Sequence, residues 1–407
     1  MTLAIPTQTT NLMGRFAEAI ALTAAGSIQR GCLEVTLPDG SSRVFGHGGG
    51  GPTASLRVKS PEFFTRVLTG GEIAFGETYM EGLWDSEDLT SLLILGILNR
   101  RAAPSILKKA NNLSRFGSRR LHLSRRNSRS GSRKNVEAHY DLSNDFFACF
   151  LDEGMTYSSA VFDHADQGLA AAQANKYEML CRKGSLGQGQ QVLEIGCGWG
   201  GFSLHAARHH GCNVDAITLS KEQAALARDR VSEAGLDDRI EVNIRDYRDV
   251  SGTYDRIVAI EMFEAVGAEY FPLFFEKCDA LLRPGGRLIL QTISVPERTF
   301  ADLRDGVNWM QKYIFPGGML PSLAQIEKAI SGTGLIITDV EDIAPHYALT
   351  LERWRDKFEA NLEAVRSLGF DDRFIRMWRY YLSAAEAGFT TRSTGDLQVV
   401  LEKPESC

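Results

Sequence analysis

The sequence predicts an α/β protein in which a mostly parallel sheet carries helices on both faces and a smaller α+β domain comes first. Three observations carry this reading. Short apolar runs recur between residues 190 and 290 with helix-length segments between them, the alternation of a βαβ series. One run opens into a glycine-rich turn, Val192-Leu193-Glu194-Ile195-Gly196-Cys197-Gly198-Trp199-Gly200-Gly201-Phe202. Residues 1–100 have a different pattern, a hairpin followed by helical segments.

The elements follow in order. Cys32-Leu33-Glu34-Val35-Thr36-Leu37 and Arg43-Val44-Phe45 flank Pro38-Asp39-Gly40, as a hairpin flanks its turn. Leu56-Arg57-Val58 reads as a further strand, and 63–68 and 89–98 read as helices. Gly46-His47-Gly48-Gly49-Gly50-Gly51 looks like a hydrolase oxyanion loop, but the chain has no Gly-x-Ser-x-Gly elbow, so a plain loop is expected. Further on, Asn213-Val214-Asp215-Ala216-Ile217, Val242-Asn243-Ile244 and Tyr254-Asp255-Arg256-Ile257-Val258-Ala259-Ile260 read as strands. The stretch 281–290 reads as helix end, turn and strand. An insert of mixed helices is expected from Phe300 to about residue 330, between two late strands, where inserts commonly cover a substrate cleft. The division expected is a domain at 1–100, a linker at 101–134 and a second domain at 135–407.

Composition narrows the class. The chain has 407 residues, 43% hydrophobic and 24% charged, ordinary for a globular protein with room for two domains. No signal peptide is expected, and the most apolar run, 89–98, is far below the roughly 20 residues of a spanning helix. Seven scattered cysteines show no metal-type spacing, so no metal site is expected, and the odd count suits a reducing cytoplasm. The net charge of −6 hides a belt that opens with Arg100 and Arg101 and closes with Arg133 and Lys134. It holds twelve basic residues and no acid; the remaining 33 basic residues face 51 acidic ones, a net charge of −18. One reading of the belt is a solvated linker, given its Ser, Asn and Gly content. Another is contact with anionic headgroups, at roughly 1 kcal/mol per basic residue. No nucleic-acid module surrounds it, so no nucleic-acid partner is expected.

The glycine turn points to a ligand. A strand that enters a helix through glycines exposes backbone N–H groups, a plan shared by dinucleotide sites and S-adenosylmethionine (SAM) sites. A dinucleotide site wants an acid about 20 residues on, for the ribose. Here the second strand ends in Thr218-Leu219-Ser220, followed by Gln223, with no acid at its tip. Glu194 precedes the turn, where it suits an ammonium, and Asp246-Tyr247 follows a strand end, where an acid and a ring suit an adenine. SAM carries an ammonium and no phosphate, so SAM is the expected cofactor and Gly196, Gly198 and Gly200 its loop.

An ordered set of segments then resembles the cyclopropane-fatty-acyl-phospholipid synthase and fatty acid C-methyltransferase family. It comprises Val136-Glu137-Ala138-His139-Tyr140-Asp141-Leu142-Ser143-Asn144-Asp145-Phe146-Phe147, Met155-Thr156-Tyr157-Ser158-Ser159, the glycine turn and Thr218-Leu219-Ser220-Lys221-Glu222-Gln223. Asp246-Tyr247-Arg248-Asp249, Met262-Phe263-Glu264, Phe315-Pro316-Gly317-Gly318 and His346-Tyr347 complete it. The resemblance implies a Rossmann-like SAM-dependent methyltransferase domain. Its reaction adds the SAM methyl to a cis double bond of a phospholipid acyl chain, after which the carbocation loses a proton. It implies that Tyr157, Ser158, Gly196, Gly198, Thr218, Leu219, Gln223, Asp246 and Tyr247 line the SAM pocket. It also implies a bound bicarbonate as base, with Glu264, Ile293 and Tyr347 at matching positions. A homodimer is a family-level expectation, and the substrate implies a cytoplasmic protein peripherally attached to the inner face of the cell membrane.

The chain departs from the family at two bicarbonate positions, where Ser159 replaces a cysteine and Gln291 a histidine, and at a helix position, where Ala385 replaces a cysteine. Neither Ser159 nor Gln291 ionises near neutral pH, though both can hydrogen-bond. Two outcomes stay open: a cyclopropane, or a methyl-branched alkene formed by losing a chain proton, which a separate redox partner can then modify. Aromatic faces can stabilise such a cation. Tyr140, Phe146, Phe147, Tyr157, Phe263, Tyr313 and Tyr347 are the candidates, with core packing the competing role for each. A small-amine N-methyltransferase and an inactive lipid-binding protein are the alternative functions.

Overall fold

A computed structural model describes residues 12–102, 142–304 and 306–405, and it divides into two compact units. The first unit contains α1 (Leu12–Ala25), β1 (Cys32–Thr36), β2 (Ser42–Phe45), β3 (Thr53–Val58), α2 (Glu62–Met80), β4 (Trp84–Asp85) and α3 (Leu89–Asn99). The expected hairpin pairs Leu33 with Phe45 and Val35 with Arg43 in antiparallel register, and β3 joins β1 in parallel. The helix expected at 63–68 runs much further, kinked where Gly71 leaves helical geometry. Trp84 is fully buried, its indole N–H donating to Thr78 Oγ1 at 3.1 Å, among the rings of Phe63, Phe75 and Tyr79.

The second unit begins in the description with α4 (Asn144–Ala148) and α5 (Leu169–Gly184). The alternating series follows: β5 (Gln191–Ile195), α6 (Gly201–His210), β6 (Asn213–Thr218), α7 (Lys221–Glu233), β7 (Ile240–Ile244), β8 (Tyr254–Ile260), α8 (Phe271–Leu281) and β9 (Leu282–Ser294). The insert supplies α9 (Glu297–Arg304), α10 (Trp309–Tyr313) and α11 (Leu323–Ile330), ahead of β10 (Ile336–Asp342), α12 (Ala344–Ala360) and α13 (Leu362–Ser367). A last helix, α14 (Asp372–Thr390), precedes β11 (Gly395–Glu402).

The seven strands lie in the order β10-β11-β9-β8-β5-β6-β7, and only β11 runs against its neighbours. Side chains alternate between the two faces, as strand geometry requires. Leu193, Ile257, Leu288 and Leu290 pack with Phe274, Phe275 and Ile326 on one face. Val192, Val214, Val258 and Ile289 pack with Leu180, Phe202, Ala227 and Val231 on the other. The chain leaves β5 toward β6 and later returns to β8 on the other side. That reversal opens a crevice at the strand ends where ligands of open α/β sheets collect.

One boundary needs correction. The division 135–407 included residues Asp371–Thr391, which group instead with the N-terminal unit. The cause is side-chain complementarity with α2 and β4. Arg376 of α14 donates to Trp84 O at 2.8 Å and Asp85 Oδ1 at 2.7 Å and lies over the Tyr79 ring, and Tyr380 meets Tyr79. Ala385 therefore sits in the first unit. The basic belt from residue 103 onward, Tyr140 and the segment 136–141 lie outside the described residues. Among the described residues no helix is long and apolar enough to cross a membrane.

Candidate active site

The cleft lies in the second unit, at the C-terminal ends of β5, β6 and β8. It is lined by Tyr157, Ser158, Glu194, Gly196, Gly198, Thr218, Leu219, Gln223, Asp246 and Tyr247 among others. Of the expected SAM residues only Gly200 is not in the lining; it caps α6 in a left-handed conformation. The turn after β5 is held by N–H bonds from Gly196 and Cys197 to Ile217 O, at 2.9 and 3.0 Å. Two glycines there are required. Gly196 has φ +83, and a Cβ on it would stand 2.6 Å from Met262 Cγ. Gly198 has φ +52 and borders open space, with no atom within 4 Å of where a Cβ would be. A ligand can therefore approach the backbone closely.

The walls are set by local hydrogen bonds. Ser220 caps α7, accepting from Gln223 N at 3.2 Å, while Thr218 Oγ1 donates to Gln223 Oε1 at 2.9 Å. Asp246 accepts from Arg248 N at 3.0 Å and Nε at 2.8 Å, and the Arg248 guanidinium reaches back over the Tyr247 ring. Glu194 is 3% exposed and accepts from Ser203 Oγ; burial pushes its carboxyl up to about 7. Ser158 Oγ accepts from Lys176 Nζ at 2.7 Å. Lys176 is fully buried, which lowers its ammonium to about 8.

The residues expected at the reacting end come together, around an acid that the sequence reading passed over. Glu261 follows β8 directly and lines the cleft. Its Oε1 accepts from Ser159 N at 2.7 Å and Gln291 Nε2 at 2.8 Å, and its Oε2 from the Tyr347 hydroxyl at 2.6 Å. The Ser159 hydroxyl turns away, donating to Ala160 O at 3.0 Å, so the backbone and not the side chain serves the site. Glu261 has φ +49, a left-handed conformation that costs a non-glycine residue on the order of 1–3 kcal/mol and clusters at functional sites.

Glu264 stands one turn on, in the 3₁₀ segment Phe263–Ala265. Its Oε1 accepts from Thr292 Oγ1 at 2.9 Å and from Ile293 N, while its Oε2 is buried without a hydrogen bond. Burial, then repulsion from Glu261, raises its carboxyl to about 8. The insert closes against this turn, Met319 N donating to Glu264 O at 2.8 Å. Behind Gln291 lies Asp396, fully buried and pushed far above the carboxylate range by burial and by Glu261 and Glu264.

Among the candidate aromatics that are described, only Tyr157 lines the cleft, and Tyr347 reaches Glu261 through its hydroxyl. Phe146, Phe147 and Phe263 are fully buried in ring clusters, where they pack the core, and the half-buried Tyr313 packs on Trp309. Away from the cleft, Cys181, His205 and His210 lie within 4.8 Å of one another, a grouping that cysteine spacing did not signal. Glu178 already accepts from both histidines, at 3.3 and 2.9 Å, and burial keeps the Cys181 thiol protonated.

The family described as mycolic acid cyclopropane synthetase matches residues 127–399. The chain is 41% identical over 378 residues to tuberculostearic acid methyltransferase UfaA1 of Mycobacterium tuberculosis, covering 88% of this chain and 84% of that one. It is 36% identical over 362 residues to the cyclopropane-fatty-acyl-phospholipid synthase of Escherichia coli K12, covering 87% and 89%. The crystal structure of mycolic acid cyclopropane synthase CmaA1 complexed with SAH and CTAB superposes with a TM-score of 0.62 at 33% identity, over 67% of this chain and 98% of that one.

Proposed function

Because the chain belongs to the mycolic acid cyclopropane synthetase family and is a SAM-dependent methyltransferase, we propose that it methylates a cis double bond of a phospholipid acyl chain and releases a methyl-branched alkene. When bound, SAM supplies an electrophilic methyl group. The glycine turn, with Thr218, Leu219 and Gln223, would hold its amino-acid end near Glu194; Asp246 and Tyr247 would hold its adenosine. The buried rings of Phe147, Phe150 and Trp354 behind Tyr157 keep water from that wall. The carbocation left by methyl transfer must lose a proton, and the site decides from which carbon.

One observation carries the product reading: the family's cysteine and histidine are replaced by Ser159 and Gln291, neither of which ionises near neutral pH. The higher identity to a protein named a tuberculostearic acid methyltransferase than to one named a cyclopropane-fatty-acyl-phospholipid synthase supports it. SAM with a trideuterated methyl, turned over with unsaturated phospholipid vesicles, tests it. A methyl-alkene formed by loss of a chain proton keeps all three deuterons; retention of only two shows that the proton left the transferred methyl, as ring closure requires, and ends the methyl-alkene reading. A redox enzyme would then act on the alkene.

A further inference from the structure

We infer that Glu261 supplies, as a fixed side-chain carboxylate, the proton acceptor that the family resemblance assigns to a bound bicarbonate. The inference deepens the proposed lipid methylation and rests on it.

The first argument is occupancy. Five positions were expected to surround the anion: Ser159, Glu264, Gln291, Ile293 and Tyr347. The donors at Ser159, Gln291 and Tyr347 are spent on the two oxygens of Glu261, at 2.7, 2.8 and 2.6 Å. The donor at Ile293 is spent on Glu264. Of the five positions, only Glu264 Oε2 is left open. Bicarbonate does not fit this arrangement, because it would have to break bonds to carboxylates already in place.

The second argument is charge. Glu261 from the turn after β8, Glu264 from the next turn and Asp396 from β11 share one buried region, faced by Lys176 of α5 and Tyr347 of α12. Each carboxyl is raised by burial, and Glu264 and Asp396 also by their acidic neighbours. A diffusible anion would add another negative group here. Glu261 accepts three hydrogen bonds, the pattern of an ionised carboxylate, with the Lys176 ammonium as nearby counter-charge. A carboxylate that binds protons more tightly than usual is also the better base. The third argument is conformation: the chain keeps a glutamate at φ +49, where glycine would be unstrained, and that residue lines the cleft.

The step balances. Methyl transfer releases the neutral thioether and leaves the positive charge on the acyl carbon next to the methylated one. An adjacent C–H bond breaks, its electron pair forms the new carbon–carbon bond, and the proton passes to a Glu261 oxygen. The neutral carboxylic acid returns that proton to solvent before the next turnover.

The test uses the full chain, SAM and vesicles of cis-unsaturated phospholipid, in CO₂-free buffer and with added bicarbonate. The wild type is expected to turn over within about twofold in both buffers. Glu261→Gln keeps the shape and is expected to lose at least ~100-fold in kcat, the scale of a general base, while still binding SAM by calorimetry. Glu261→Gly removes the backbone strain, so its Tm is expected to equal or exceed the wild type's while its turnover falls as far. A wild type that needs bicarbonate, or either variant turning over at the wild-type rate, overturns the inference and leaves the lipid methylation standing. A wild type that methylates no lipid overturns the proposed function, and this inference with it.

Discussion

Glu194 and Glu264 titrate at about 7 and about 8, chiefly because burial disfavours their charged forms. Their unfolded values lie near the ordinary 4.5, so the folded state binds more protons between that value and 7–8, and stability must fall as pH rises through this window. The urea midpoint is therefore expected to drop from pH 5 to pH 8, with each pKa unit counting about 1.4 kcal/mol, and Glu264→Gln should flatten the slope. A midpoint that rises over that range contradicts the assignment. Gly196→Ala meets both a left-handed backbone and Met262 Cγ at 2.6 Å, so SAM affinity should fall at least ~10-fold by calorimetry. At this scale the sequence was legible where neighbours in the chain are neighbours in the site: the glycine turn, Thr218 with Gln223, Asp246 with Tyr247. It was not legible at Glu261, whose donors lie 102, 30 and 86 residues away. An acid directly after a buried strand was the available signal.

The strands of the second unit could be read because burial on both faces produces continuous apolar runs, as in Ile257-Val258-Ala259-Ile260 of β8. The edge strand β10 is mostly exposed and has no such run, so only its place after the insert could be anticipated. Helix α7 is secured by its cap: Ser220→Ala removes the hydroxyl that accepts from Gln223 N at 3.2 Å and should cost about 1 kcal/mol in urea unfolding. An unchanged midpoint would assign helix stability to packing alone. Helix α14 shows where pattern reading stops. Its buried positions repeat at helical spacing, which announces an apolar face and not the core it serves.

For the whole molecule, two predictions concern parts that sequence treats as separable. A chain restricted to 135–407 keeps α14 but lacks α2 and β4, leaving Arg376 and Tyr380 without Asp85 and Tyr79. It should elute as aggregates in gel filtration, where the full chain runs monodisperse; a monodisperse fragment would show that α14 is stable alone. If the basic belt contacts anionic headgroups, binding to anionic vesicles should weaken steeply between low and physiological salt, and salt-independent binding would exclude it. The placement of α14 also has a consequence for the order of events in the cell. Arg376 and its partner Trp84 are separated by 292 residues, so a ribosome must pass through nearly the whole of the second unit before the first can be completed. At a synthesis rate of about 5–20 residues per second, the face around Tyr79 and Trp84 waits some tens of seconds for its covering helix, and the first unit to be made is the last to be finished.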